Sequence, residues 1–422
     1  MEMERYKDFS LAFHDRVSAN RIPVNGTIEV TRRCPLTCAH CYNNLAMDDS
    51  GARSSELTLD EHRRILDEIT EAGCLWLLFT GGEIFARRDF LDIYAHAKRN
   101  GLLITLFTNG TLVTPRIADY LAEWMPFSVE ITLYGRTRET YERLTGIPGS
   151  YDMCLRGIHL LKERGVPLKL KTVAVTINKH EIFDMVRFSK EELGLECKFD
   201  SMINPRIDCS QSPLAIRLKP EEIVEFDLQD AERIDAWKSF ASKYTRPVQS
   251  VETAGELYHC GGGVNSFAID PQGLLSICVL SQVDKFDLRQ GGFREGWEHF
   301  LYKVRRQKKI STMTKCVDCQ IKAMCGMCPA NGELENGDPE SPVDFLCQVA
   351  HMRAQAIGMR VPEHGACEYC EGGSGYAELK EAFDAMHRRS KMNPDVTKRY
   401  LPVASQSAGT GCGGGCASCG PK

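Results

Sequence analysis

Between residues 25 and 205, short β-branched and apolar runs alternate with longer stretches whose apolar positions recur at helical spacing. The short runs predict strands at 27–33, 75–80, 102–108, 127–134, 169–176 and 197–203. The longer stretches, Leu59 to Ala72, Phe90 to Asn100, Pro115 to Trp124, Tyr151 to Arg164 and Glu181 to Leu193, carry charged faces opposite their apolar ones and predict helices. Gly101, Gly165 and Gly194 stand where a left-handed residue ends a helix. Regular strand–helix alternation makes a parallel sheet, and right-handed crossovers wind it in one direction. The expected fold class is α/β, a partial (β/α)6 barrel over residues 24–205 with its chemistry at the C-terminal ends of the strands. An open doubly wound sheet is the structural alternative.

The pattern changes on either side. Residues 1–23 form an N-terminal lead, and 206–257 read as a helical connector with one polar helix from Pro220 to about Tyr244 and no obvious site. From 258 to 372 the alternation stops, and GGG, PQG and NGD turns cut the chain into short pieces dense in cysteine. Such pieces lack the apolar residues for a large core and are expected to be held by metal. Residues 373–422 carry a helix near Tyr376 to Arg389 and a tail rich in glycine and cysteine.

Composition narrows the function. The 422 residues include 52 basic and 57 acidic side chains, a net charge of -5, which offers no broad positive field to nucleic acid or anionic lipid. The charged N-terminus has no apolar signal core, and no apolar run approaches the ~20 residues that span a bilayer, so the expectation is a cytoplasmic enzyme without membrane or nucleic-acid partners. In a reducing compartment, 19 cysteines point to metal rather than to a disulfide framework.

Cys34, Cys38 and Cys41 form CxxxCxxC directly after the first predicted strand, which sets three thiolates on one loop at the barrel mouth. Thiolates suit iron–sulfur clusters, and three ligands for four irons leave one iron open to a substrate's amino and carboxylate groups. A closed zinc site is the alternative, with His40 as a poorly placed fourth ligand. After the second strand, Gly81, Gly82 and Glu83 form a turn in which glycine admits a close backbone approach, and the carboxylate or nearby backbone can receive an ammonium group.

CPLTCAHCY together with LLFTGGEIF resembles the radical S-adenosylmethionine (SAM) superfamily. The resemblance implies a [4Fe-4S] cluster on Cys34, Cys38 and Cys41 that reductively cleaves S-adenosylmethionine, giving a 5'-deoxyadenosyl radical that abstracts a substrate hydrogen. It also implies cofactor contacts at His40 beside the adenine, Gly81, Gly82 and Glu83 at the methionine, Thr132 at the ribose and Arg143 at the carboxylate, with Asn109 and Asn178 as further contacts.

Cys260, Gly273 and Cys278, then Cys316, Cys319, Cys325, Cys328 and Cys347, resemble the SPASM domain that carries auxiliary clusters. Cys328 departs from the pattern, following Cys325 after two residues where three are usual. By this resemblance Cys316, Cys319, Cys325 and Cys347 ligate one [4Fe-4S] cluster, and Cys260, Cys278 and Cys328 hold another. Cys367 or Cys370 is available to complete the latter, unless one iron stays open; a zinc ribbon is the alternative for the CxxC pairs. Cys412, Cys416 and Cys419 repeat CxxxCxxC on the tail, as a third auxiliary cluster or a reactive thiol segment.

Enzymes of this pattern commonly modify peptides. The expected function is therefore a peptide or protein maturase, fed by an electron donor such as flavodoxin or ferredoxin. No leader-binding domain is visible before residue 24, so a separate protein would present the peptide. The alternatives are a small-molecule or cofactor-biosynthesis radical enzyme and, from another class, a non-catalytic iron–sulfur electron carrier.

Overall fold

The computed structural model describes residues 6–244, 255–308, 315–316, 319–361, 363–364 and 366–392. The chain divides into two compact units. The larger comprises Phe13–Arg217 and Gly261–Gln307, the smaller Met1–Ala12, Leu218–Cys260 and Lys308–Lys422. The division cuts across the segment 258–372 that the sequence groups as one domain.

In the larger unit the six expected strands form in order: β1 (Asn25–Thr31), β2 (Trp76–Gly81), β3 (Leu103–Thr108), β4 (Ser128–Thr132), β5 (Leu168–Val173) and β6 (Cys197–Asp200). Each pairs in parallel with its successor. Helices Leu59–Glu71, Phe90–Arg99, Pro115–Glu123, Ser150–Glu163 and Ile182–Glu191 connect them, within two residues of the predicted bounds. Local chemistry fixes the ends. Thr58 and Glu61 form a reciprocal capping box at the first of these helices, and Thr114 caps the third directly before Pro115.

Side chains alternate across the sheet with the period of two that strands impose. On one face Ile104, Leu106, Val129, Ile131 and Leu170 are buried, the apolar layer of the α/β core. The other face stays half open and carries Phe107, Glu130, Thr132 and Lys171.

Three features lie outside the expectation. A seventh strand, β7 (Ser266–Ile269), returns from far along the chain and pairs in parallel with β1, from Asn25↔Ser266 to Ile28↔Ile269. It continues into antiparallel β8 (Leu274–Ser276) and β9 (Phe286–Asp287), so the sheet has nine strands in the order β6-β5-β4-β3-β2-β1-β7-β8-β9. The β7–β8 turn is the PQG sequence: Gly273, at φ +85°, donates its N–H to Asp270 O. A four-residue strand is too short to stand out in a stretch whose strongest signals are cysteine and glycine.

The single polar helix expected from Pro220 to Tyr244 is two helices, Pro220–Leu228 and Ala231–Tyr244. Asp230 makes the break by accepting from the backbone N–H of Glu232 and Arg233, which caps the second helix. These helices are core rather than connector. Val224 packs with Met352, Leu379, Phe383 and Met386, and Trp237 with Ile321, Met324 and Ala350, inside the smaller unit. Buried Asp227 accepts from Arg353 Nε and Arg233 Nη2, both at 2.8 Å. Burial alone would raise its carboxyl; the two guanidiniums hold it below the ordinary range.

Phe267 anchors β7: it is 2% exposed and its ring lies 4.7 Å from Phe293. Phe267→Ala should lower the unfolding free energy by about 3–5 kcal/mol, read as a shift in denaturant midpoint at unchanged m-value.

Candidate functional site

The loop bearing Cys34, Cys38 and Cys41 is closed at its base and pinned along its length. At the base Cys34 N–H donates to Leu45 O, and Leu45 N–H to Arg32 O. Along the loop, Thr37 and Ala39 donate to Thr145 O and Leu144 O, at the end of a helix, Arg138–Thr145, that periodicity did not reveal. Arg206 clamps the far side through Cys41 O, Asn44 O and Asn44 Oδ1.

The Gly81-Gly82-Glu83 turn packs backbone to backbone on the end of β1. Gly82 N–H donates to Thr31 O and Glu83 N–H to Arg33 O. A Cβ on Gly81, at φ +142°, would sit 2.0 Å from Thr31 O, and one on Gly82 would sit 2.4 Å from Arg32 O. Real side chains essentially never approach backbone so closely. The two glycines are therefore required by the strand beside them, whatever else binds there.

Glu83 faces inward. Its carboxylate accepts from Thr108 Oγ1 at 2.7 and 2.9 Å, from Asn109 N–H at 2.8 Å and from Phe85 N–H at 3.2 Å. It is 1% exposed, and burial pushes its pKa up to about 6 against those donors. With this many internal bonds, the carboxylate braces β2 against β3.

The other expected contacts separate into two groups. Near the cysteine loop, Asn109 Nδ2 lies 3.5 Å from Cys34 Sγ, while its Oδ1 accepts from Thr111. The His40 ring lies 5.0 Å from that of Tyr134, its Nδ1 is buried without a hydrogen-bond partner, and burial lowers its pKa to about 4. Thr132 stands on the half-open face of β4, the strand that leads to Tyr134. Asn178 and Arg143 are placed differently. Asn178 is fully buried, bonding Val175 N–H, Tyr134 O and Val173 O, so its amide is a staple. Arg143 is exposed on its helix.

A charged platform that the sequence did not reveal underlies the loop. Arg33 makes a two-pronged, buried pair with Glu56 at 2.9 and 3.0 Å, and Arg87 approaches the same carboxylate at 3.8 Å. Buried Glu29 accepts from Tyr42, Asn43 and Arg32. Glu56 lies 23 residues from Arg33 and 31 from Arg87, so spacing along the chain does not reveal their pairing. On the open face, Lys171 Nζ lies 3.5 Å from Glu130 and over the Phe107 ring. Desolvation lowers its pKa to about 7 despite Glu130.

The donor set suits a cluster. Burial, then Glu83 and the neighbouring Cys41, raise Cys34 to about 12. Burial, then Cys41 and Cys34, raise Cys38 well above its ordinary value. Thiols so placed ionise only when a cation takes up their charge. Cys34, Cys38 and Cys41 are not among the described groups whose donors all converge within 4.8 Å, as a single ion would require, and His40 is turned to Tyr134.

In the smaller unit, Cys316, Cys319, Cys325 and Cys347 line one cavity together with His351 and His364. Of the other expected ligands, Cys260 and Cys328 belong to this unit and Cys278 to the larger one. Cys412, Cys416 and Cys419 lie outside the described residues.

The sequence model of the radical SAM superfamily matches residues 28–189. Residues 28–189 thus form the radical SAM domain of a SAM-dependent radical enzyme, and a cysteine-rich C-terminal region follows it. It is 28% identical over 327 residues to the AdoMet-dependent heme synthase of Methanosarcina barkeri, covering 74% of this chain and 92% of that one. It is 33% identical over 168 residues to the PqqA peptide cyclase of Bradyrhizobium diazoefficiens, covering 40% of this chain and 43% of that one. The fold is similar to that of Streptococcus suis SuiB bound to S-adenosylmethionine, with a TM-score of 0.59 at 16% identity over 82% of this chain and 84% of that one. Among the described residues no helix is long and apolar enough to cross a membrane.

The raised Glu83 pKa makes stability pH-dependent. A carboxyl at about 6 when folded and about 4.5 when unfolded binds its proton more tightly in the native state, so its contribution is complete below pH 4.5 and is lost as pH rises through 6. The loss should be about 2 kcal/mol. Glu83→Gln should remove that step and, by misplacing an amide against three donors, cost about 1–3 kcal/mol at pH 5, measured by chemical denaturation across pH 4–8.

Proposed function

We propose that Cys34, Cys38 and Cys41 hold a [4Fe-4S] cluster beside a bound S-adenosylmethionine, and that the enzyme oxidises a tetrapyrrole of the heme-synthesis class. Such a cluster and cofactor together supply a carbon-centred radical when reduced. The protein's own share is positional. The glycine turn and the β1 end offer backbone to the cofactor, Asn109 and Tyr134 border the cysteine loop, and the open face of β3–β5 receives the substrate. Cys316, Cys319, Cys325 and Cys347, around their common cavity, would hold an auxiliary cluster, which would supply a one-electron acceptor.

The observation that carries the tetrapyrrole reading is the extent of the heme synthase likeness. It covers 74% of this chain, more than the larger unit contains, and so reaches into the smaller unit. Lys171 fits it, since tetrapyrroles of this class carry carboxylates and a cation on the open face would meet them. The peptide reading rests on the peptide cyclase likeness, which covers 40% of the chain. The fold neighbour SuiB, solved with its precursor peptide SuiA, supports it as well.

After anaerobic loading with iron and sulfide, reduction with S-adenosylmethionine should yield 5'-deoxyadenosine in the native chain and none in Cys34→Ala/Cys38→Ala/Cys41→Ala. An iron porphyrin with free propionates should raise the yield at least tenfold over a panel of short peptides; the reverse ranking would replace the tetrapyrrole reading with the peptide one. Because Lys171 titrates near pH 7, porphyrin affinity should strengthen as pH falls from 8 to 6. Lys171→Met should flatten that dependence and weaken binding about tenfold at pH 6.5, measured by fluorescence quenching.

A further inference from the structure

His351, His364, Cys367 and Cys370 bring one donor atom each into a group whose members all lie within 4.8 Å of one another, and all four are buried. Cys367 Sγ is 3.6 Å and Cys370 Sγ 3.5 Å from His351 Nε2, and Cys370 Sγ is 3.3 Å from His364 Nδ1. A tetrahedral zinc ion with Zn–S near 2.3 Å and Zn–N near 2.0–2.1 Å has sulfur–nitrogen edges of about 3.5 Å. The observed separations have that length before any ion is added.

We propose that this is a closed Cys2His2 zinc site, distinct from the iron–sulfur ligands. A four-iron cluster spreads its ligands, one to each iron; four donors converging on a point suit a single ion. The orientation of His351 supports the assignment independently. Its Nδ1 donates to Cys347 O at 2.8 Å, which leaves the Nε2 lone pair aimed at the two sulfurs, the arrangement by which metal-ligating histidines are held. The supporting loop is tight: Gly373 N–H donates to Cys370 O, and a Cβ on Gly373 would sit 2.3 Å from Glu368 O. Lys315 pairs with both Glu368 and Asp344, and Gln348 with Tyr369, docking the loop on helix Asp344–Ala356.

With four protein ligands the ion has no open position and its role is structural. It ties the segment after helix Asp344–Ala356 back onto that helix, whose Cys347 lines the same cavity as His351 and His364. This assignment uses Cys367 and Cys370 together with two histidines, in place of one cysteine completing the set of Cys260, Cys278 and Cys328. It goes beyond the proposed function and stands whether or not that reading holds.

The test uses full-length chain purified from cells supplied with iron and zinc, its iron–sulfur sites then filled anaerobically, with metals counted by mass spectrometry. One zinc per chain is expected, with a zinc-edge X-ray absorption shell of two sulfurs near 2.3 Å and two nitrogens near 2.0–2.1 Å. His364→Ala and Cys370→Ser should each lose the zinc while the iron count stays unchanged. Zinc well below one per chain, a shell of four sulfurs, or loss of iron with zinc retained would each overturn the proposal. The native-chain absorption shell decides the question even if a variant fails to fold.

Discussion

The closeness of two backbones governs this site. Where the turn after β2 meets the end of β1, no side-chain carbon fits between them, and the chain carries glycine at both positions. That contact fixes Thr31 to Arg33, from which the cysteine loop departs, and it fixes Glu83, whose carboxylate reaches across to Thr108 and Asn109 on the next strand end. Three successive strand ends are thereby locked in one layer. The cysteine loop inherits a rigid origin and needs only Arg206 and the end of helix Arg138–Thr145 to fix the rest of its path.

Charge is managed around the loop with equal economy. Arg33, Glu56 and Arg87 are buried together beneath it, and Glu29 is held by Tyr42, Asn43 and Arg32. Such groups are costly to bury singly and tolerable only when satisfied, so the platform makes the position of the loop specific rather than merely stable. Among the thiols, Cys34 receives only long contacts, from Leu36 N–H at 3.4 Å and Asn109 Nδ2 at 3.5 Å.

Much of this was legible in the sequence because it is local. Strand and helix periods, the Thr58 and Thr114 caps and the cysteine spacing are all written within a dozen residues. What escaped was set by distance. β7 pairs with β1 across some 240 residues, and a four-residue strand has too little periodicity to announce itself. The Asp230 cap that splits one expected helix is a single side chain. Glu83 was legible as a motif but not as a brace, since Thr108 and Asn109 are 25 and 26 residues away. The bonds of Asn178 to Tyr134 O and Val173 O likewise cannot be seen from its place in the sequence.

The late arrival of β7 also orders events in time. β1 leads the sheet from the N-terminal side, yet its second neighbour is made only after residue 266 has been synthesised. Until then the emerging barrel has one unpaired, apolar edge, the kind that templates aggregation. Synthesis at about 5–20 residues per second separates the two strands by roughly ten seconds or more. The same return strand that completes the fold therefore decides when the end of β1, from which the cysteine loop departs, acquires its final surroundings.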